Sequence, residues 1–494
     1  MLFNSITFAV FLPIVFLLYW LVFQRNLKVQ NFFVVVASYV FYGWWNWRFL
    51  LMIVFTSFCS WGCGLLMQHS DNRQITTAPV LSRKFLSISN IVLNLGILGV
   101  FKYYNFFVES FVSAFASVGL YLQPHTLKII LPVGISFYTF QALSYSIDVY
   151  KRKIEPTKDI VAFFAYIGFF PLLVAGPIER ATNLLPQFYK KRSFDYEKAV
   201  DGMRQILWGL FKKIVIADNC ATYVNMIFEN PQGQTGLTLL LGAVFFAFQI
   251  YGDFSGYSDI AIGVARLFGI NAMRNFAYPY FSRDIAEFWR RWHISLTTWF
   301  RDYVYIPLGG SRVSKTKVVR NTFVIFLVSG FWHGANWTFI AWGAFHAILF
   351  LPLILLNQNR RYTNTVAEGN FFPSVKEIFQ IGLTFLLVVI GWVFFRADSI
   401  GQAFEYLGGM MDISLFSLPT TSRLLILKCL FFALCMFVVE WLQRNKQHGL
   451  DFFDTKSSIL KYSIIRWGLY YVILSIIALN YNIGEQQQFI YFQF

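Results

Sequence analysis

The sequence predicts an all-α polytopic integral membrane protein, and three observations carry that expectation. Hydrophobic residues make up 57% of the chain and charged residues only 13%, where soluble domains hold about 25% charged residues. Mean hydropathy is +0.53. Apolar runs recur along all 494 residues, with no polar stretch between them long enough to bury a core of its own. At ~20 residues per crossing there is room for about 11 transmembrane helices, together with re-entrant or amphipathic pieces.

In order, the runs fall near 6–23, 31–43, 50–67, 88–107, 128–149, 159–178, 205–222, 236–268, 321–356, 376–396, 421–443 and 461–480. The first has no basic segment before it and no small-residue cleavage site after it, so it reads as a transmembrane helix and not as a removable signal. Pro171, Gly176 and Pro177 interrupt 159–178, which reads as a re-entrant piece. The run 321–356 is long enough for two helices, broken at Gly334-Ala335-Asn336. The expected organisation is one membrane-embedded domain over 1–494, with N-terminal helices over 1–128, a catalytic core over about 129–356 and C-terminal helices over 357–494.

The net charge of +16 lies in loops between the runs, where it sets topology and meets anionic lipid headgroups; it does not point to nucleic acid. Arg25 and Lys28, then Arg73, Arg83 and Lys84, then Lys151, Arg152 and Lys153 mark alternate loops as cytoplasmic, which leaves the N-terminus outside. Residues 179–213 hold eight Lys/Arg against four acids, and residues 283–320 hold eight against three, so both segments are expected on the cytoplasmic side. No internal repeat is visible, which weighs against a secondary transporter. The five cysteines show neither metal-ligand nor disulfide spacing. Cys59 and Cys63 share a helix face, as packing residues or as a redox pair.

His333, in FVIFLVSGFWHGANWTFIAWGAFHAILF (323–350), is the most informative residue. A titratable group among so many apolar ones is costly and faces a bundle interior or a wet cavity. Thirteen residues beyond Arg320, it lies roughly 20 Å into a helix rising 1.5 Å per residue. That is past the middle of a hydrocarbon core about 30 Å thick. His293, in FWRRWHISLTTWFRDYVYIPLGG (288–310), stands among arginines and tryptophans and is expected near the cytoplasmic face. A packing role for either histidine is the competing reading.

Two further helices carry polar residues at helical spacing. Tyr138, Gln141, Tyr145 and Asp148 share one face; Gln249 and Asp253 are one turn apart, followed by Ser255, Tyr257 and Asp259. They line a tunnel or hold helices together by hydrogen bonds, and a carboxylate in such a run needs a partner. Gly252 and Gly256 form a small-xxx-small pair suited to close helix contact. No phosphate-binding glycine loop, GxSxG elbow or HExxH zinc pattern is present. His346 reads as a supporting or structural residue, and His69, His125 and His448 fall at the ends of runs.

Five pieces, LPVGISFYTFQALSYSIDVY (131–150), FFPLLVAGPIERATNLLPQF (169–188), YGDFSGYSDIAIG (251–263), FWRRWHISLTTWFRDYVYIPLGG (288–310) and SGFWHGANWTFIAWGAFH (329–346), with the closing FIYFQF, resemble the bacterial branch of the membrane-bound O-acyltransferase family. The likeness is greatest to its alginate- and peptidoglycan-O-acetylating members. It implies a helical bundle with a funnel from each side of the membrane, the signature histidine at His333 and the second active-site position at His293. Two departures are Gly252, where such relatives carry a cysteine, and Ala347, where a glycine often stands.

The implied function is transfer of an acetyl group from a cytoplasmic thioester, acetyl-CoA or an acyl-carrier thioester, for O-acetylation of an extracytoplasmic polysaccharide. No cofactor is expected to be permanently bound. Implied partners are an extracytoplasmic Ser-nucleophile acetyltransferase, the polysaccharide acceptor and membrane lipids, at the bacterial cytoplasmic (inner) membrane. His333 and His293 are the catalytic candidates. Trp332, Asn336, Trp292, Asp253, Gln249, Tyr257, Gln141 and Tyr138 are candidate tunnel or supporting residues, and Arg290, Arg291 and Arg301 a basic rim for an anionic donor. The base role is expected at His333, with His293 beside Arg290 and Arg291 positioning or donating to the oxyanion. D-alanyl transfer to teichoic acid and a polysaccharide exporter are the alternatives.

Overall fold

The computed structural model describes all residues except 73–81, 128–130, 175, 420, 452–462, 483–486, 488 and 491–494. Arg73 and most of the closing FIYFQF therefore lie outside the described residues. Those described form helices and turns with no strand. Seven helices are long and apolar enough to cross a membrane: Arg48–Ser70, Arg83–Ser117, Gly236–Leu267, Trp337–Leu355, Val375–Arg396, Arg423–Leu442 and Ser463–Asn480, with Ile6–Val22 a shorter apolar helix. The chain divides into two compact units, Met1–Ala199 with Val264–Met273, and Val200–Gly263 with Arg274–Phe494.

In the first unit the helix Ile135–Tyr150 is buried on nearly all of its faces, packed by Arg48–Asn72 and Arg83–Leu98. Gly134 starts it with φ +75, and a Cβ there would meet the Leu173 carbonyl oxygen at 2.5 Å, so only glycine fits. As expected, 159–178 is broken into Ile160–Gly168 and Phe170–Leu173, with Pro171 near the start of the second piece. Arg192 ties its connecting segment to the helix Leu27–Gly43, donating to Gln30 at 3.1 Å and to Asn31 at 2.5 Å. Glu179, of the GPIER stretch, accepts from Asn183 at 2.7 Å and from the Met273 amide at 2.5 Å.

In the second unit Gly256, on the helix Gly236–Leu267, lies against Gly209, on the helix Tyr196–Leu210. A Cβ on Gly256 would lie 2.8 Å from the Gly209 carbonyl oxygen, and one on Gly209 2.6 Å from that of Gly256, the close approach that small residues permit. A Cβ on Gly252 would lie 3.0 Å from the Lys212 carbonyl oxygen, a tighter approach than ordinary contact. The run 321–356 is a helical hairpin, Lys315–His333 and Trp337–Leu355. Gly330 and Gly343 let its arms touch: their Cβ positions would lie 2.2 Å from the Phe339 carbonyl oxygen and 2.4 Å from that of Phe326. Gly334 ends the first arm in extended conformation, and Asn336 caps the second by accepting from Thr338 N–H at 3.0 Å.

Candidate active site

His333 is the last residue of its helix, 3% exposed. Its imidazole lies edge-on to Trp342 and Phe395, with ring centroids at 5.2 and 5.4 Å. The indole of Trp332 is 4.9 Å from His333 and 6.1 Å from His293, so one side chain links the two histidines. His293 is 1% exposed. Within the basic stretch the imidazole is sealed in, next to the part-buried Arg290 and Arg291. Phe254 meets it edge-on at 4.6 Å and Phe276 lies along it at 6.3 Å. Burial pushes the imidazole's pKa down to about 3, so it is neutral at pH 7.

The backbone of His293 is left-handed, φ 43 and ψ 55, just before the short helix Ile294–Phe300. A β-carbon makes that conformation costly, so the surroundings must impose it. Asn275 does so. Its carbonyl oxygen accepts from Ile294 N–H at 2.8 Å, and its Oδ1 takes Ser295 N–H at 3.3 Å and Ser295 Oγ at 2.9 Å. The Nδ1 of His293 lies 3.0 Å from the same Oδ1.

Aromatic residues continue outward from His333. Trp342 lies 5.6 Å from Trp289 and stacks on Trp392 at 5.7 Å, and Trp392 lies 5.0 Å from Trp292. His346, fully buried, is enclosed by Phe288, Trp289 and Trp342. Trp289 also lines a cavity of about 280 Å³ whose other walls include Arg290, Phe300, Arg301, Phe326 and Arg360. A polar cavity of about 440 Å³ shares Asn359 and Arg360 with it and adds Arg312 and Lys315. A basic mouth thus opens on an apolar cavity whose Trp289 wall is one indole removed from His333.

The three rim arginines differ. Arg301 is 57% exposed and pairs with its neighbour Asp302. Arg290 donates to the carbonyls of Asn359 and Tyr362, both at 2.5 Å. Arg291 pairs with buried Glu287 at 2.8 Å. Two of them therefore hold backbone and a carboxylate in place, and Arg301 is the one with a guanidinium held only at the surface.

Among the other candidates, Trp292 is buried beside the site. Asn336 is occupied as a helix cap and donates to the Asp398 carbonyl. Asp253 belongs to a buried ion cluster: Lys213 Nζ lies 3.0 Å from Asp253 and 2.8 Å from Asp218, and Asp253 accepts from the Ile490 amide at 2.6 Å. Lys212 pairs with Asp259 at 2.6 Å, and Tyr251 donates to Glu440 at 2.9 Å. Tyr257 is packed between Lys213 and Phe489. Gln249 is buried one turn away. Tyr138 and Gln141 belong to the first unit, both buried, with the Gln141 carbonyl accepting from Tyr166 and Ser144.

Sequence reasoning missed Asn275, for which the sequence offers no signal. It also missed Lys212 and Lys213 as the partners of the helix carboxylates. There the signal existed: two lysines inside the apolar run 205–222, where an unpaired ammonium would be untenable.

The pattern of the membrane-bound O-acyltransferase family matches residues 39–395. The probable alginate O-acetylase of Pseudomonas aeruginosa is 40% identical over 425 residues, covering 86% of this chain and 77% of that protein. The peptidoglycan O-acetyltransferase of Helicobacter pylori is 31% identical, covering 100% of this chain and 98% of its own. The teichoic acid D-alanyltransferase of Bacillus subtilis is 29% identical over 55% of this chain and 70% of its own. With two buried histidines joined through one indole in a multi-pass helical protein, the chain belongs to the membrane-bound O-acyltransferase family and is an O-acyltransferase.

Proposed function

We propose that this enzyme takes an acetyl group from a thioester at the cytoplasmic face of the bacterial inner membrane and passes it outward for O-acetylation of an extracytoplasmic polysaccharide. The observation that carries the reading is the line of aromatic rings from the basic-mouthed cavity through Trp289 and Trp342 to His333. An anionic donor with a long, largely uncharged arm, as in acetyl-CoA or an acetyl-carrier protein, suits a mouth holding Arg301, Arg312 and Arg360 over an apolar interior.

The chemistry needs a proton acceptor and an oxyanion donor. As the hydroxyl oxygen bonds to the thioester carbonyl carbon, its proton passes to an imidazole; the C–S bond then breaks and the thiolate takes up a proton. A buried indole N–H or the second histidine holds the oxyanion. A secreted Ser-nucleophile acetyltransferase is the partner that would carry the group on to the glycan. A D-alanyl group is the second reading, supported by the D-alanyltransferase relatives, whose similarity covers about half of this chain.

Purified protein offered labelled acetyl-CoA, acetyl-carrier and D-alanyl-carrier separately tests the donor. Release of free carrier with loss of label from an acetyl thioester supports the proposal, and turnover of the D-alanyl thioester alone reverses it. Glycan O-acetyl content unchanged in cells carrying a folded His333→Ala protein would sink the function itself.

A further inference from the structure

We propose that Asn275 is the positioning residue that fixes His293 in its Nδ1-protonated form, which leaves Nε2 as the proton-accepting atom of acyl transfer. This rests on the acyl-transfer reading and assigns a role within it. Ser295 supplies a donor whose identity the backbone fixes. Ser295 N–H points at the Asn275 side chain, so the atom it meets must be the amide oxygen. That fixes the amide: Oδ1 towards Ser295 and His293, Nδ2 towards Ser258 Oγ at 3.1 Å. An oxygen already receiving Ser295 can only accept from His293, so Nδ1 carries the hydrogen. In a neutral imidazole the other nitrogen is then the acceptor.

Nε2 of His293 is buried and has no hydrogen-bond partner among the described residues. A buried acceptor of that kind is costly unless a substrate hydroxyl or water meets it. Neutral His293 in this form cannot donate from Nε2 to an oxyanion, so the base role falls to it in place of the positioning or donating role expected. The balance of the step is complete without His333. The acceptor O–H breaks and its proton goes to Nε2, the O–C bond forms at the thioester carbonyl, the C–S pair leaves on sulfur, and the Nε2 proton returns to the thiolate. His333, across Trp332, is left to the carbonyl side.

Charged groups on the elements around His293 are engaged elsewhere. Asp253 and Asp259, on the helix that carries Phe254, pair with Lys213 and Lys212. Arg274 donates to the Phe276 carbonyl at 2.6 Å. Arg290 holds the Asn359 and Tyr362 carbonyls, and Arg291 holds Glu287. Across the Trp332 indole stands His333. The amide of Asn275 is therefore the group whose replacement by a carboxylate changes the charge at Nδ1.

The test compares Asn275→Asp and Asn275→Ala with the unaltered enzyme, in detergent, by acetyl-transfer rate from pH 5.5 to 8. The neutral imidazole is the active form, so activity is lost as pH falls through its pKa. Unaltered enzyme should show no such loss from His293 in this range. Asn275→Asp keeps the acceptor and adds a negative charge beside Nδ1, which favours the imidazolium; its rate should stay within about 10-fold at pH 8, with an acid limb, absent from the unaltered enzyme, brought up into the measured range. Asn275→Ala should lose about 10²–10⁴-fold at every pH. An unshifted profile for Asn275→Asp, or a near-normal rate for Asn275→Ala, overturns the proposal. Nitrogen-15 spectra of the six histidines, with His293 assigned by its loss in His293→Gln, read the same point without turnover. Protonated Nδ1 with bare Nε2 supports it, and the opposite form overturns it. If no thioester is turned over by the unaltered enzyme, the proposed function fails while the spectra still decide this inference.

Discussion

The indole of Trp332 and the imidazole of His293 lie 6.1 Å apart, centroid to centroid, and that contact brings the histidine of one segment to the histidine of another. His333 follows Trp332 directly in sequence, whereas His293 arrives from the Arg-rich stretch forty residues earlier. Acyl transfer needs both a proton acceptor and a group on the carbonyl, and under the proposed function the two buried imidazoles flanking one ring would supply them at a single site.

Removing the His333 imidazole should abolish measurable transfer. His333→Ala is expected to cost at least about 10²-fold in rate, as for loss of an acid–base or oxyanion group, with normal membrane insertion and normal thermal unfolding in detergent. Rates within a few-fold of the unaltered enzyme would remove His333 from the chemistry.

The cavity mouth should matter to donor binding and not to the chemical step. Arg301 is exposed and pairs with its neighbour Asp302, so Arg301→Gln should raise the donor KM a few-fold and leave kcat unchanged. The effect should shrink as ionic strength rises, because exposed charges are screened. Arg290→Gln should instead lower stability, since its guanidinium holds the Asn359 and Tyr362 carbonyls. Equal KM effects that ignore salt would argue against an electrostatic rim.

Lys213 should be required for folding. It is 1% exposed between Asp253 and Asp218, and removing one partner of a buried pair leaves an uncompensated charge costing about 3–5 kcal/mol. Lys213→Met should unfold at markedly lower temperature, and the double variant Lys213→Met with Asp253→Asn should recover most of the loss. A Lys213→Met protein as stable as the original would contradict the buried cluster.

Gly330→Ala should act on His333 through the backbone. Its new methyl would lie 2.2 Å from the Phe339 carbonyl oxygen, so the two arms of the hairpin must part, at a typical overpacking cost of about 1–3 kcal/mol. A fall in thermal stability together with a fall in kcat is expected. Activity lost with stability unchanged would point to some other role for Gly330.

The sequence by itself determined the class, the helical hairpin and the two histidines. Composition demanded a membrane, because so few charges cannot solvate a surface of this size. The Gly334-Ala335-Asn336 break was legible because a glycine that leaves the helix and an asparagine that caps the next are local events, decided by backbone geometry within a few residues. His333 stood out because an imidazole in an apolar run is costly wherever it lies.

What only the tertiary structure decided is who meets whom. That Asp253 answers to Lys213, that His293 is sealed in while Arg290 holds the Asn359 and Tyr362 carbonyls, and that Asn275 grips its Nδ1 are all contacts between segments distant in sequence or turned by a left-handed residue. Local pattern reports which groups are costly to bury, because that cost belongs to the residue. It does not report how the cost is met, because a hydrogen bond or ion pair belongs to two residues, and packing chooses the second.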